Sequence, residues 1–293
     1  MNKGVLYAIS AYTTWGILPL FWKLLQDVPA IETLGHRTIW SLVFVVGLLA
    51  YKQDWSWLAS ARKNPKAYRV FLLSALLVGS NWLIFIWAVN AGYVVEASLG
   101  YFINPLLSVV MGVVFLKERL RRNQWLAVFI AFLGVVYLTI SVGSPPWIAL
   151  SLAGTFGIYG LIRKTAPLGS IHALGFETAI LTPIALTYFI FIESSGAGHF
   201  FSSWQTAVLF ALSGAFTAIP LLLFGAGARL INLSTIGILQ YIAPTLQFLI
   251  GLFIFQEPFT QSQLIGYSII WCALLIYALD GVRNGRLQPK LAS

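Results

Sequence analysis

Charged residues are scarce in this chain of 293 residues, and their scarcity excludes most soluble folds. Asp, Glu, Lys and Arg together make up 9% of the sequence, whereas hydrophobic residues make up 59% and the mean hydropathy is +0.84. A soluble domain carries about 25% charged residues, so a water-facing surface of this size would be left largely uncovered. The composition therefore predicts a protein that has lipid as its solvent.

Cysteine and the common catalytic motifs are equally scarce. The single cysteine, Cys272, excludes an internal disulfide and any metal site built from several cysteines. The sequence contains no zinc-peptidase, serine-hydrolase or nucleotide-binding motif, and its histidines His36, His172 and His199 are scattered along the chain. We therefore predict no enzyme, no cofactor, no metal site and no transport driven directly by ATP hydrolysis in this chain.

Long apolar runs fill most of the sequence, separated by short polar breaks. Each run has the length of a membrane-crossing helix, and the alternating strands of a β-barrel fit poorly. A backbone in hydrocarbon must satisfy its own hydrogen bonds, so these runs are predicted to be helices. The ten predicted spans are Gly4–Trp22, Glu32–Tyr51, Arg69–Asn90, Val95–Leu116, Asn123–Ser141, Pro146–Ile162, Ile171–Ile192, Trp204–Ala228, Asn232–Phe255 and Ser262–Leu279.

Basic residues predict the orientation of the chain. With the amino terminus in the cytoplasm, 16 of the 18 lysines and arginines lie on the cytoplasmic side, among them Arg163 and Lys164. Only Lys23 and Arg37 fall toward the outside. Such a bias is a strong topology signal. It explains the net charge of +9 without a nucleic-acid partner and predicts a multi-pass protein, embedded in membrane lipid, with both termini in the cytoplasm.

The two halves of the sequence resemble each other weakly. A shift of 139 positions aligns Pro105 with Pro244 and Glu118 with Glu257, and shifts of 140 and 141 align segments nearer the start of each half. Five spans per unit is an odd number, so the second unit must enter the membrane from the opposite side. Inverted repeats are the architecture of many secondary transporters, whose halves rock about a central site.

These patterns together define the predicted fold class. We expect an all-α polytopic membrane protein with ten transmembrane helices in two inverted five-helix repeats. The first repeat covers residues 1–141, the second covers 146–280, and a basic cytoplasmic tail follows at 281–293. Small residues in the fifth and tenth spans predict close packing or a homodimer contact there, and a monomer stays an alternative.

Polar residues inside the predicted spans indicate a central site. Tyr101, Pro105 and Ser108 share one face of the fourth span, and the ninth span repeats the stripe around Pro244. A stripe that recurs in both halves predicts a hydrated chamber near mid-membrane, with helix–helix packing as the alternative. The residues predicted to bind substrate are Trp15, Lys23, Arg37, Asn81, Tyr101, Asn104, Gln240 and Gln247.

Two ionisable residues lie well inside spans, where a charge costs about 2.5–3.5 kcal/mol to insert. Arg37 and Glu177 occupy equivalent repeat positions but opposite depths, about 10 Å apart along the membrane normal, which disfavours a direct ion pair. We hypothesise that Arg37 or Lys23 attracts an anionic group of the substrate while Glu177 takes up a coupling proton. The alternatives are an Arg37 that reaches the outer headgroups and a Glu177 that is neutral and bonded to a neighbouring helix.

Several motifs make the chain similar to one transporter family. They are W-G-I-L-P-L-F-W-K at 15–23, H-R-T-I-W-S at 36–41, N-W at 81–82, E-A-S-L-G-Y-F-I-N-P-L at 96–106, G-F-E-T at 175–178 and Q-Y-I-A-P at 240–244. Over essentially its whole length the chain resembles the RarD-like proteins of the EamA family, in the drug/metabolite transporter superfamily. The resemblance implies ten spans in two inverted units, a bacterial inner membrane and an association with chloramphenicol, without a defined natural substrate.

The sequence thus predicts an inner-membrane permease or exporter of a small organic metabolite or drug, working by alternating access, with proton coupling left open. Two other classes compete with this interpretation. One is a channel-like facilitator, and the other is a membrane accessory protein that transports nothing.

Overall fold

The computed structural model describes residues 2–56, 65–143, 145–256 and 260–283, which are helical and contain no strand. A short 3-10 turn, Lys23–Leu25, extends the first helix. Within the described residues nine segments, with α9 and α10 counted as one, are long and apolar enough to cross a membrane, and α6 adds a helix of 19 residues. The helices are α1 Lys3–Trp22, α2 Ala30–Tyr51, α3 Pro65–Asn90, α4 Val94–Leu116, α5 Arg122–Val142, α6 Trp147–Thr165, α7 Ser170–Ser194, α8 Trp204–Leu230, α9 Leu233–Gln240, α10 Ile242–Phe253 and α11 Gln261–Arg283.

The predicted all-α polytopic fold is confirmed, and one span differs from its prediction. The ninth span is two helices, because α9 ends at Gln240 and α10 begins at Ile242. Pro244 has no N–H to offer the carbonyl of Gln240 four residues earlier. The Tyr241 N–H bonds to the carbonyl of Ile238 at 3.3 Å instead, which tightens the turn. The span is therefore broken near its middle.

The helices of the two predicted repeats interlock instead of forming two separate bundles. α1 packs against α8 and α10, α3 against α6 and α7, and α4 against α6 and α9. The contacts of α1 correspond to those of α6, which is five spans later: α1 with α8 matches α6 with α3, and α1 with α10 matches α6 with α4. This correspondence is expected for halves related by a pseudo-two-fold axis. The repeat limits at 141 and 146 stay predictions, and Glu257 and residues 284–293 lie outside the described residues.

The small-residue faces of α5 and α11 pack against each other within the chain. Gly134 lies against Ile270, and a methyl group added at Gly266 would come within 2.4 Å of the Leu138 side chain. At the end of this contact, the Arg121 Nε donates to Asp280 Oδ2 at 2.7 Å. These faces serve intramolecular packing, so a homodimer through the two spans stays a prediction that would use their other, apolar sides.

The backbones of α2 and α8 approach most closely at Gly214. The Ser41 hydroxyl donates to the Gly214 carbonyl at 3.0 Å. A Cβ at position 214 would lie 2.2 Å from the backbone carbonyl carbon of Trp40, so the contact has no space for a side chain. This contact fixes the part of α2 that carries Arg37 against the middle of α8.

We expect Gly214→Ala to destabilise the protein, because the added methyl group must push the backbone of α2 away. Overpacking of this kind costs about 1–3 kcal/mol. The melting temperature in detergent, followed by intrinsic fluorescence, should fall by several degrees. The matched control is Gly47→Ala on α2, where nothing lies within 4 Å of the added carbon. Equal melting temperatures for the two variants would contradict the close contact.

Candidate functional site

A cavity of about 300 Å³ lies among α1, α2, α3, α4, α6, α8, α9 and α10. Seven of the eight residues predicted to bind substrate line it, namely Trp15, Arg37, Asn81, Tyr101, Asn104, Gln240 and Gln247. The eighth, Lys23, is not among the lining residues, and its ammonium group lies 4.1 Å from the ring centroid of Phe255. The structure therefore brings residues from both halves of the chain to one chamber.

The cavity is closed toward the membrane face that holds the amino terminus. On α8, Leu221 lines the cavity while Phe224, one turn further toward that face, is 1% exposed. On α6, Phe156 lines the cavity while Tyr159 is fully buried. The rings of Tyr159 and Phe224 stack with their centroids 6.1 Å apart and form the floor. In the predicted orientation the chamber lies toward the outer face, the one opposite the amino terminus.

Prolines explain why polar backbone atoms gather at this chamber. A proline cannot donate to the carbonyl four residues before it, and three lining residues carry such a carbonyl. One of these carbonyls is taken up by a side chain, because the Gln247 Nε2 donates to the Trp15 oxygen at 3.2 Å. The pairs of lining residue and proline are Trp15 and Pro19, Tyr101 and Pro105, and Gln240 and Pro244.

Arg37 carries the single formal charge among the residues that line the cavity. Its Nε donates to the Thr217 hydroxyl at 2.9 Å, a contact between α2 and α8. Its guanidinium carbon lies 4.7 Å from the ring centroid of Trp22 and 5.3 Å from that of Trp82. Cation–π contacts and one hydrogen bond thus hold the guanidinium in place. The terminal nitrogens make no hydrogen bond within the described residues, so they are available to an anionic ligand.

Two polar atoms in the cavity wall are buried without a hydrogen-bond partner among the described residues. They are the Tyr12 hydroxyl and the Asn104 Oδ1. Buried polar groups are nearly always satisfied, so water or a ligand is expected to complete these two. Neighbouring amides are already fixed: Asn81 Nδ2 donates to the Leu152 carbonyl at 2.8 Å, and the Ser108 hydroxyl donates to Gln240 Oε1 at 3.1 Å. Some polar groups of the wall are thus held by hydrogen bonds within the protein, whereas the Tyr12 hydroxyl and the Asn104 Oδ1 are left for water or a ligand.

Glu177 lies outside the cavity, in a buried ion pair. The Arg163 Nη1 lies 3.3 and 3.4 Å from the two carboxylate oxygens, and the hydroxyls of Ser74 and Tyr159 also donate to them. Both charged side chains are 1% exposed. The predicted sixth span ends at Ile162, whereas α6 runs on to Thr165 and buries Arg163. A carboxylate with this many donors supports a structural pair more than a free proton carrier.

The sequence did not predict Tyr12, Thr217 or Arg163 as parts of these sites. Tyr12 and Thr217 look like ordinary residues of apolar spans, and no local pattern distinguishes them. Trp82 follows the predicted Asn81 directly in the chain, so its contact with Arg37 had a local signal.

Comparisons with known proteins match this chain to a family of transporters. The EamA-like transporter family matches residues 2–140. The Uncharacterized transporter YojE of Bacillus subtilis is 46% identical over 99% of this chain and 98% of its own length. Protein RarD of Escherichia coli is 42% identical over 99% of this chain and 98% of its own. The Chloramphenicol-sensitive protein RarD of Pseudomonas aeruginosa is 31% identical over 99% and 98%.

One solved structure shows the same fold. A crystal structure of another protein, 16% identical in sequence, superposes with a TM-score of 0.70 over 94% of this chain and 97% of its own. At this level of identity the similarity concerns the fold alone.

We expect Glu177→Gln to destabilise the protein, because Arg163 would stay buried without its counter-charge. Removing one partner of a buried pair costs about 3–5 kcal/mol. The melting temperature in detergent should fall, and the double variant Arg163→Met/Glu177→Gln should lose less than the sum of the two single changes.

The control for this change is Asp54→Asn. Asp54 forms an exposed pair with His172 at 2.8 Å, and a hydrogen bond from Ser56 lowers the pKa of its carboxyl. Exposed pairs contribute little, so this variant should melt close to the parent. A Glu177→Gln protein as stable as the Asp54→Asn protein would show that Arg163 does not depend on the Glu177 charge.

Proposed function

Because the chain belongs to the EamA-like transporter family, in its RarD-like branch, we propose that it carries a small organic anion across the bacterial inner membrane by alternating access. The anionic character of the proposed substrate rests on Arg37, the one formally charged residue among the described residues that line the cavity. An arginine binds carboxylates through two parallel hydrogen bonds, and its terminal nitrogens are unoccupied within the described residues.

The remaining wall favours an anion with a flat, apolar body. Two indole rings lie against Arg37, further aromatic rings line the cavity, and amide groups supply a few fixed polar contacts. A volume of about 300 Å³ is at the small end of ligand pockets, so the substrate is a single small molecule. The aromatic residues of the wall are Tyr12, Trp15, Trp22, Trp82, Phe85, Tyr101 and Phe156.

Lys23 places a second positive charge near the cavity but is not among the residues that line it. It follows Trp22 at the outer end of α1, and its ammonium group lies above the Phe255 ring. A second cation near the chamber raises the local concentration of anions by its field.

The closed floor supports a carrier over an open channel. Tyr159 and Phe224 fill the space below the cavity, and the Arg163–Glu177 pair belongs to the same closed half. We assign Glu177 to this closed half and not to contact with the substrate. A coupling role for Glu177 requires the pair to open during the cycle, and an unchanged pH dependence of transport by Glu177→Gln would exclude that role.

The charge preference of the site can be measured by tryptophan fluorescence. We expect phenylacetate to quench the purified protein at a concentration at least tenfold below that of phenylacetamide, which has the same shape without the charge. Arg37→Gln should abolish this preference. The control Lys52→Gln removes an exposed cation from the other end of α2 and should keep it. Equal binding of acid and amide by the parent would contradict an anionic substrate.

Alternating access can be measured by counterflow in proteoliposomes. Vesicles preloaded with an unlabelled aromatic acid that quenches the protein should take up the labelled acid faster than empty vesicles do. Chloramphenicol belongs in the same assay, since one relative is named for sensitivity to it. Uptake without any acceleration by preloading would favour a channel-like facilitator.

A further inference from the structure

Glu32, His36 and Glu193 meet at the outer ends of α2 and α7, although they are distant in the sequence. Each offers one ligand atom, and these atoms lie within 4.8 Å of one another. Glu32 is 1% exposed and His36 is 3% exposed, while Glu193 is partly exposed. None of the three lines the substrate cavity. The cluster is therefore a second polar site with its own access to the outer face.

Aromatic rings hold the imidazole of His36 in place. Its ring stacks on Phe210 with 3.8 Å between centroids and on Phe200 with 5.1 Å. Its Nε2 is buried and has no partner among the described residues. Buried polar groups are nearly always satisfied, so an unpartnered imidazole nitrogen in a cluster with two carboxylates points to a ligand.

The two carboxylates are oriented by the loop between α7 and α8. The His199 backbone N–H donates to Glu32 Oε1 at 2.6 Å, and the ring Nδ1 of His199 lies 2.8 Å from Oε2. The Phe200 N–H donates to Glu193 Oε1 at 3.1 Å. A Cβ at Gly198 would lie 2.3 Å from the Glu193 carboxyl carbon, so the loop lies directly against this group. Metal-bound carboxylates are commonly held by hydrogen bonds of this kind.

Charge and ligand type both point to a divalent transition-metal ion. Two carboxylates this close repel each other, and a dication between them removes the repulsion. Calcium and magnesium prefer oxygen ligands alone, whereas zinc is bound by imidazole together with carboxylates. Zinc ligands in tetrahedral geometry are about 3.4 Å apart, whereas these ligand atoms lie within 4.8 Å of one another, so the cluster needs to contract by up to about 1.4 Å. We expect the partly exposed side chain of Glu193 to make this movement.

We propose that Glu32, His36 and Glu193 form a binding site for Zn²⁺ or a similar divalent transition metal, with His199 positioning the Glu32 carboxylate. The ion would join the outer end of α7 to the start of α2, where His36 directly precedes Arg37 in the sequence. The proposal does not depend on the transport function, and its test measures metal binding alone.

The test uses the full chain, purified without a histidine tag and stripped with a chelator. We expect one Zn²⁺ per chain by titration calorimetry, and a raised melting temperature when Zn²⁺ is present. The chain has three histidines and one cysteine, so competing sites are few. His36→Phe retains an aromatic ring among the phenylalanines and should weaken binding at least tenfold, as should Glu193→Gln.

The matched control is His172→Gln. His172 pairs with Asp54 at 2.8 Å near the other membrane face, and within the described residues that pair belongs to no group of three ligands. This variant should bind Zn²⁺ like the parent. His199→Gln should weaken binding while Co²⁺ keeps the absorption bands of the parent complex, because the ligand atoms are unchanged.

Two outcomes would overturn the proposal. One is the absence of stoichiometric Zn²⁺ binding by parent protein that elutes as a single species and melts cooperatively. The other is a His36→Phe variant that melts cooperatively and binds Zn²⁺ as tightly as the parent does.

Discussion

Hydrocarbon offers no hydrogen-bond partner, so the polar groups of a spanning helix have to be satisfied inside the protein. In this chain that constraint directs proline-freed carbonyls, amides and one guanidinium toward the same chamber. The Gln247 amide donates a hydrogen bond to the Trp15 carbonyl, and the Thr217 hydroxyl accepts one from the Arg37 Nε. The chamber is the place where the remaining polar atoms can meet water or a ligand without contacting lipid. The cavity therefore follows from the same rule that makes the chain helical.

Each half of the chain has an ionisable residue well inside a span, and these two residues have opposite charges. Arg37 on α2 and Glu177 on α7 occupy equivalent positions in the predicted repeats, and each bonds to a hydroxyl on a helix of the other half, Thr217 on α8 and Ser74 on α3. Only Glu177 has a charged partner, Arg163, and the bundle is closed around that pair. Around Arg37, which lacks one among the described residues, the bundle encloses a cavity. The paired charge lies in the closed half and the unpaired charge faces the chamber.

Sequence patterns predicted the features of this arrangement that depend on local spacing, and missed those that depend on partners distant in the sequence. Apolar run length gave the spans, and helical spacing placed Tyr101, Asn104 and Gln240 on interior faces. The burial of Arg163 has no such signal, since an arginine at a span end looks like a surface charge until its partner two turns inside the next span is known. The cluster at Glu32 and Glu193 is hidden for the same reason. Both acids read as span-end residues, and only the folding of the loop at His199 brings them together.

The unpaired guanidinium also bears on how the proposed cycle would run. While the chamber is open, water hydrates Arg37. Closing an empty chamber would bury that charge among indole rings and hydroxyl groups with no carboxylate partner among the described residues, and burying an uncompensated charge costs several kcal/mol. A bound anion removes most of this cost. The transition between the two faces is then easier with substrate than without it, so a carrier of this construction exchanges one anion for another more readily than it returns empty.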